Sequence, residues 1–210
     1  MTEPEMLPAF VLHTRPYRET SQLVDLFVAS MGKVSMVAKG SRTSRSAVKG
    51  LLQPFLPLHI RYSGKSNLKT LVQLEARSPQ VALQGERLFS ALYLNELLYH
   101  LLEPDTEYPG LYSSYFQTLL VLSDPLQPVS PLLRQFELLL LQQLGYGVDF
   151  CYAADSGLPI EPACFYRYEP EAGFITTALR DHTVFSGTEI IGMAERDFIN
   201  ASILAAVRRF

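Results

Sequence analysis

Over the first part of the chain, apolar and polar positions alternate with a period of two. Leu56, Leu58, Ile60 and Tyr62 alternate with Pro57, His59 and Arg61, and the run stops at Ser63-Gly64. Val34, Met36 and Ala38 alternate with Lys33, Ser35 and Val37 and stop at Lys39-Gly40. Alternation of this kind predicts strands with one face on a core. Ala9 to Leu12 and Leu23 to Val28 are nearly continuous apolar runs of strand length, and Gly32, after the second of them, predicts a hairpin. Leu68 to Leu74 supplies a fifth strand. Five short strands before residue 80 fit a small closed or partly closed barrel such as the five-stranded OB-fold, with a split SH3-like barrel as the competitor.

From residue 85 the apolar period becomes helical. Leu88, Leu92, Leu97 or Leu98, and Leu101 mark one helix, ended by Pro104. Leu111, Tyr112, Tyr115, Phe116, Leu119 and Leu120 mark a second, ended at Ser123-Asp124-Pro125. Ser130-Pro131 reads as an N-cap followed by proline at the first helical position, and opens a third helix through Leu132, Leu133, Phe136, Leu139, Leu140 and Leu144, with Gly145 as its C-cap. Three such helices are expected to bury one another as a bundle. Residues 147–189 lose this period and suggest loops and short strands at Phe165–Tyr168 and Gly173–Ile175, before Ala194–Phe210 reads as helical again. The expectation is an α+β chain. It has a barrel over 1–80, a mainly helical domain over 81–146 plus 190–210, and a small irregular insertion over 147–189.

Composition allows this picture and narrows the function. The chain has 210 residues, 48% of them hydrophobic and 19% charged, which is enough apolar material for a sizeable core and excludes disorder. Two cysteines exclude a disulfide scaffold and fit a reduced compartment. The acidic start, Met1-Thr2-Glu3-Pro4-Glu5, is unlike a signal peptide, so a cytoplasmic location is expected. The net charge of −3 argues against nucleic acid only if it is read whole. Residues 1–80 carry eleven basic against five acidic residues, a net of +6, and the remainder carries −9. Such a split points to two parts with different partners, the first an anion binder.

The sharpest local feature is Lys39-Gly40-Ser41-Arg42-Thr43-Ser44-Arg45-Ser46-Ala47-Val48-Lys49-Gly50, in which cations interleave with hydroxyl residues and glycines. A loop of this composition suits a phosphate backbone and implies no base specificity. Arg61, Lys65 and Lys69 form a second cluster, and Tyr17, between Arg15 and Arg18, is the best candidate for stacking on a base, whereas Phe10 and Phe27 read as core. The candidate DNA-binding set is Arg15, Tyr17, Arg18, Lys33, Lys39, Arg42, Arg45, Lys49, Arg61, Lys65 and Lys69. An RNA-binding module is the alternative. Signs of an enzyme are absent from the motifs. His13, His59, His100 and His182 fall in separate elements, no nucleophile elbow or P-loop occurs, and Phe150 breaks a dinucleotide fingerprint begun by Gly145-Tyr146-Gly147. Cys151 and Cys164 lack the spacing of zinc ligands and read as structural thiols. Arg134 is the only basic residue between Arg87 and Arg167, on a leucine-rich helix. It reads equally as a receptor for an acidic apolar peptide or C-terminal carboxylate and as a surface pair with Glu137.

Several stretches together resemble the bacterial RecO family. They are Phe10-Val11-Leu12-His13-Thr14-Arg15-Pro16-Tyr17-Arg18-Glu19-Thr20-Ser21, Val37-Ala38-Lys39-Gly40-Ser41-Arg42, Leu52-Gln53-Pro54-Phe55, Tyr93-Leu94-Asn95-Glu96-Leu97-Leu98, and Phe136-Glu137-Leu138 with Leu144-Gly145-Tyr146-Gly147. The resemblance runs over nearly the whole chain and is greatest to the proteobacterial branch. It implies an N-terminal OB-fold, a helical domain, and a non-catalytic mediator of DNA repair and homologous recombination at the nucleoid. The implied activities are binding of single- and double-stranded DNA, annealing of complementary strands, and, with RecR and RecF, loading of RecA onto strands coated by single-stranded DNA-binding protein (SSB). It also implies that the helical domain takes the acidic, Phe-ended tail of SSB, for which Arg134, Leu133, Phe136 and Glu137 are the candidates. Some members hold zinc with four cysteines in the region of residues 147–189, where Cys151 and Cys164 stand alone, so no metal is expected. Members usually continue past the last helix into a basic tail, without which weaker DNA binding is expected.

Overall fold

The computed structural model describes residues 6–44 and 46–210. Five strands, β1 (Leu7–Tyr17), β2 (Ser21–Val28), β3 (Gly32–Ala38), β4 (Leu58–Ser63) and β5 (Leu68–Ala76), close into a barrel in the order β1-β2-β3-β5-β4. All neighbours are antiparallel except β3 and β5, and β4 closes on β1 through Leu7–Ala9 against Leu58–Ile60. A five-stranded barrel of this order is an OB-fold. Ala9, Val11, Val24, Leu26, Val34, Met36, Leu58 and Ile60 fill its interior.

The continuous apolar runs of β1 and β2 have a physical reason: both faces of these strands are covered. Phe10 and Phe27 point away from the barrel interior and lie within 6 Å, centroid to centroid, of Tyr112 and Tyr115 on α2 (Leu111–Ser123). A register shift between Val11 and His13 bulges β1. The buried Asn95 of α1 (Gly85–Leu101) donates to the carbonyls of Val11 and Leu12 at this bulge, at 3.3 and 3.4 Å, and accepts the Tyr115 hydroxyl. Gly32 turns the β2–β3 hairpin at φ +67, where a Cβ would meet the Thr106 carbonyl oxygen at 1.9 Å. Only glycine fits there.

The chain divides into two compact units, Met1–Val129 and Ser130–Phe210. The first holds the barrel with α1 and α2. The second holds nearly all of α3 (Val129–Gln143), then a small sheet of β6 (Phe165–Glu169), β7 (Gly173–Thr176) and β8 (Val184–Ser186) in the order β7-β6-β8, then α4 (Gly187–Ala194) and α5 (Ala201–Arg209). Within the first unit, α1 and α2 find aromatic and amide partners on the barrel wall. The expected single helix over Ala194–Phe210 is corrected. Arg196 breaks it at φ +59, and Asn200 starts α5 as an N-cap, accepting from the Ser202 amide at 3.0 Å. Phe150, Tyr166, Phe174, Phe185, Ile190, Met193, Phe198 and Ile203 form the core of the second unit. Among the described residues no helix is long and apolar enough to cross a membrane.

Candidate nucleic-acid interface

Two cationic segments far apart in sequence meet at one end of the barrel. The β1–β2 hairpin tip carries Tyr17 and Arg18, and Arg18 sits at φ +53 with its guanidinium 5.3 Å from the Tyr17 ring centroid. The basic loop after β3 folds against this tip. The Arg42 amide donates to the Thr20 carbonyl at 2.9 Å, and its guanidinium donates to the carbonyls of Arg18 and Glu19 at 3.2 and 3.3 Å. Described residues of the loop are held by hydrogen bonds to the chain just before them. Ser41 is fully buried and donates to the Ala38 carbonyl, and Thr43, Ser46, Lys49 and Leu51 each close a turn on the residue three back. Val48, Leu51, Leu52 and Leu56 then anchor it on the barrel core. Lys39, Arg42 and Lys49 remain exposed, as do Arg15 and Arg18, while Tyr17 is half-buried. Arg45 lies outside the described residues.

The other candidates separate by burial. Lys65 is exposed on the β4–β5 turn. Arg61 is half-buried on β4 opposite Gln73, with its Nε buried and without a hydrogen bond. Lys33 is half-buried and donates to the Tyr99 carbonyl at 2.7 Å. Lys69 departs from the expected phosphate contact. It is buried on β5, and its Nζ lies 2.5 Å from Asp105, because the loop that approaches Gly32 brings a carboxylate over it.

Tyr99 on α1 had no signal in the sequence as a site residue, yet it organises this wall. Its hydroxyl accepts from Arg15 at 3.3 Å, its carbonyl accepts from Lys33, and the His13 ring lies 5.1 Å from its own. His13, Asp25 and Ser35 sit in register across β1, β2 and β3. Ser35 donates to the buried Asp25, whose other oxygen is 3.9 Å from His13 Nδ1. The carboxylate therefore lies between the hydroxyl and the imidazole, and the Ser–His contact that nucleophilic catalysis requires is missing.

In the second unit, Arg134 pairs with Glu137 at 2.6 Å, which is the bland one of the two readings of its sequence. Leu133 is half-buried beside it, and Phe136, at 2% exposure, belongs to the core rather than to a surface.

Two family models match in succession: the Recombination protein O N-terminal model over residues 1–80 and the Recombination protein O C-terminal model over residues 82–184. The DNA repair protein RecO of Tolumonas auensis is 84% identical over 210 residues, all of this chain and 88% of the relative. Those of Serratia proteamaculans and Pasteurella multocida are 48% and 46% identical over 204 and 201 residues, 96% of this chain and 83% and 84% of theirs. The chain belongs to the RecO family.

Membership makes the four-cysteine zinc site of some RecO proteins a question for residues 147–189, and the residues present do not fit one. Cys151 is exposed, and Cys164 points its Sγ at Glu161, 3.7 Å away. Among the described residues no three His, Cys, Asp or Glu side chains gather where a metal ion would sit. The second unit of this RecO chain also holds an aromatic cluster. Phe150, Tyr168, Phe174 and Phe185 surround Phe210 at centroid distances of 4.4 to 6.4 Å. Burial accordingly pushes the Tyr168 phenol up.

Proposed function

We propose that this RecO-family chain is a non-catalytic mediator of DNA repair and homologous recombination in the cytoplasm, working at the nucleoid. It binds single- and double-stranded DNA through the barrel, anneals complementary strands, and with RecR and RecF helps load RecA onto SSB-coated single strands. One observation carries the DNA-binding reading: Arg42 ties the hairpin tip to the basic loop, which joins the segment bearing the exposed Arg15 and Arg18 to the one bearing the exposed Lys39, Arg42 and Lys49. Cationic segments so joined neutralise phosphates without reading bases. They also account for annealing without chemistry. Two strands repel through their phosphates, and a surface that screens both lets base pairing proceed with no covalent step. The shared name of the relatives, DNA repair protein RecO, supports the repair assignment.

Within the candidate set, the exposed cations with Lys65 and Tyr17 contact DNA, Lys33 and Arg61 stand at the margin, and Lys69 holds the fold. The second unit takes the acidic tail of SSB beside α3. The test is single-strand affinity against salt for the wild type and for Lys39, Arg42, Arg45 and Lys49 changed together to Ala. A shallower salt slope with weakened annealing is expected. An unchanged slope removes these cations from the mechanism, and tighter binding to structured RNA without annealing replaces DNA as the ligand.

A further inference from the structure

A carboxylate lies buried on the outer wall of the barrel with one oxygen unanswered. Asp25 of β2 is 3% exposed. The Ser35 hydroxyl donates to its Oδ1, while its Oδ2 is buried and has no hydrogen-bond donor among the described residues. A buried charge is held where an opposite charge or a full set of donors meets it. The group that the strand register sets beside Oδ2 is His13 of β1, with its Nδ1 at 3.9 Å. The imidazole is not itself buried. Its side chain is 47% exposed, with one ring face towards Tyr99 of α1.

The two protonation forms of this imidazole offer different surfaces to a ligand. In the neutral ring one nitrogen donates and the other accepts, so an Nδ1–H turned towards Asp25 leaves a lone pair on Nε2, which a phosphate oxygen avoids. In the imidazolium both nitrogens donate, and Nε2–H is available once Nδ1–H meets the carboxylate. Arg15 lies two residues along the same strand, so it shares this face. It is exposed, belongs to the candidate DNA-binding set, and donates to the Tyr99 hydroxyl at 3.3 Å. We infer that His13 is a proton-gated phosphate contact of the barrel, made when its imidazolium stands between the Asp25 carboxylate and a nucleic-acid phosphate, with Asp25 as the positioning residue behind it. The inference rests on the reading that the barrel cations bind phosphates, and it adds a dependence on pH.

The surrounding charges set its sign. Asp25 on β2 favours the imidazolium. Arg15 on β1 and Lys33 on β3, whose Nζ lies 5.7 Å from the Tyr99 ring centroid, oppose it. On α1 the His100 ring lies 4.9 Å from that of Tyr99, and its Nε2 is 2.8 Å from Glu96, so that second imidazole already has an anion of its own. A bound phosphate offsets the two cations and adds a second anion to Asp25, so binding takes up a proton. Affinity therefore rises as pH falls through the ordinary histidine range around 6.5.

The test measures the affinity of the full chain for oligothymidine, whose bases do not titrate in this range, at pH 6 and pH 8 over a salt series, with thermal midpoints at both. Wild type is expected to bind roughly threefold to tenfold more tightly at pH 6, the range of a half-exposed charged contact. Its salt slope should be steeper there by about 0.7, one single-strand phosphate. His13→Gln, which keeps a donor and cannot charge, is expected to bind equally at the two pH values, and His13→Arg to bind tightly at both. Asp25→Asn is expected to lose most of the response, whereas His100→Gln retains it. A response in His13→Gln equal to that of wild type overturns the inference, as does its loss in His100→Gln. A full response in folded Asp25→Asn removes Asp25 from the contact. A wild type without a pH response also overturns the inference. The barrel reading still stands in that case if changing Lys39, Arg42, Arg45 and Lys49 to Ala lowers the salt slope, and falls with it if the slope is unchanged.

Discussion

The Arg42 guanidinium donates to the carbonyl of Arg18 across the β1–β2 hairpin tip, at 3.2 Å, joining two cationic segments that lie 24 residues apart. Arg42 therefore positions other cations as well as carrying its own charge. Arg42→Ala is expected to weaken single-strand binding more than Lys39→Ala does, although both remove one charge. Lys39→Ala reduces the salt slope by about 1, the effect of one phosphate contact. Fluorescence anisotropy at several salt concentrations compares them, and equal losses would mean that Arg42 acts as a charge alone.

Lys69 distinguishes a cation that serves the fold from one that serves a ligand. Its side chain is 8% exposed and meets Asp105 at 2.5 Å, with Asp105 itself 35% exposed. Removing one partner of a largely buried pair leaves the other uncompensated, which costs about 1–3 kcal/mol at this degree of burial. Lys69→Ala is expected to lower the denaturant midpoint accordingly and to leave the salt slope of DNA binding where it was. A fall in the slope without a fall in stability would return Lys69 to the phosphate-binding set.

What the sequence made legible follows physical range. Strand period and turn residues are local, so all five barrel strands, β6, β7 and the bodies of α1, α2 and α3 were readable, and so was the concentration of positive charge. Partners were not. Nothing local says that Phe10 faces Tyr115, that Arg15 ends on Tyr99, or that Asp105 covers Lys69, since these contacts span 36 to 105 residues of sequence. Arg196 was hidden for a different reason. The helical period continues through it, and only the backbone dihedral reveals that α4 ends there without a glycine.

Alkaline pH probes the seam between barrel and α2. Burial pushes the Tyr112 phenol up to about 12, with the Arg77 guanidinium acting weakly the other way, and burial raises Tyr115 further. A raised phenol favours the protonated form in the folded state. Its stabilisation is complete below the ordinary tyrosine value near 10 and is lost as pH climbs from there through 12. Denaturant midpoints measured between pH 9 and 12 are expected to fall over that window, and Tyr112→Phe should remove part of the slope. A flat profile in the wild type would mean that the phenols are solvated.

The pair Asn95–Tyr115 makes the sharpest stability test, because one buried amide serves both a helix and a bulged strand. Asn95 donates to the Val11 and Leu12 carbonyls at the β1 bulge and accepts from Tyr115. Tyr115→Phe deletes one donor and leaves the amide oxygen buried, a loss of about 1–3 kcal/mol. Asn95→Ala removes the acceptor of the Tyr115 hydroxyl and the donor to two carbonyls and opens a cavity, so about 3–5 kcal/mol is expected. Once Asn95 is gone, the Tyr115 hydroxyl has lost this acceptor, so Tyr115→Phe no longer costs that bond. The double variant should therefore be less destabilised than the sum of the singles, with a coupling of about 1 kcal/mol or more. Additive losses in chemical unfolding would show that the hydroxyl and the amide contribute independently, and the bulge would then need another explanation for its register.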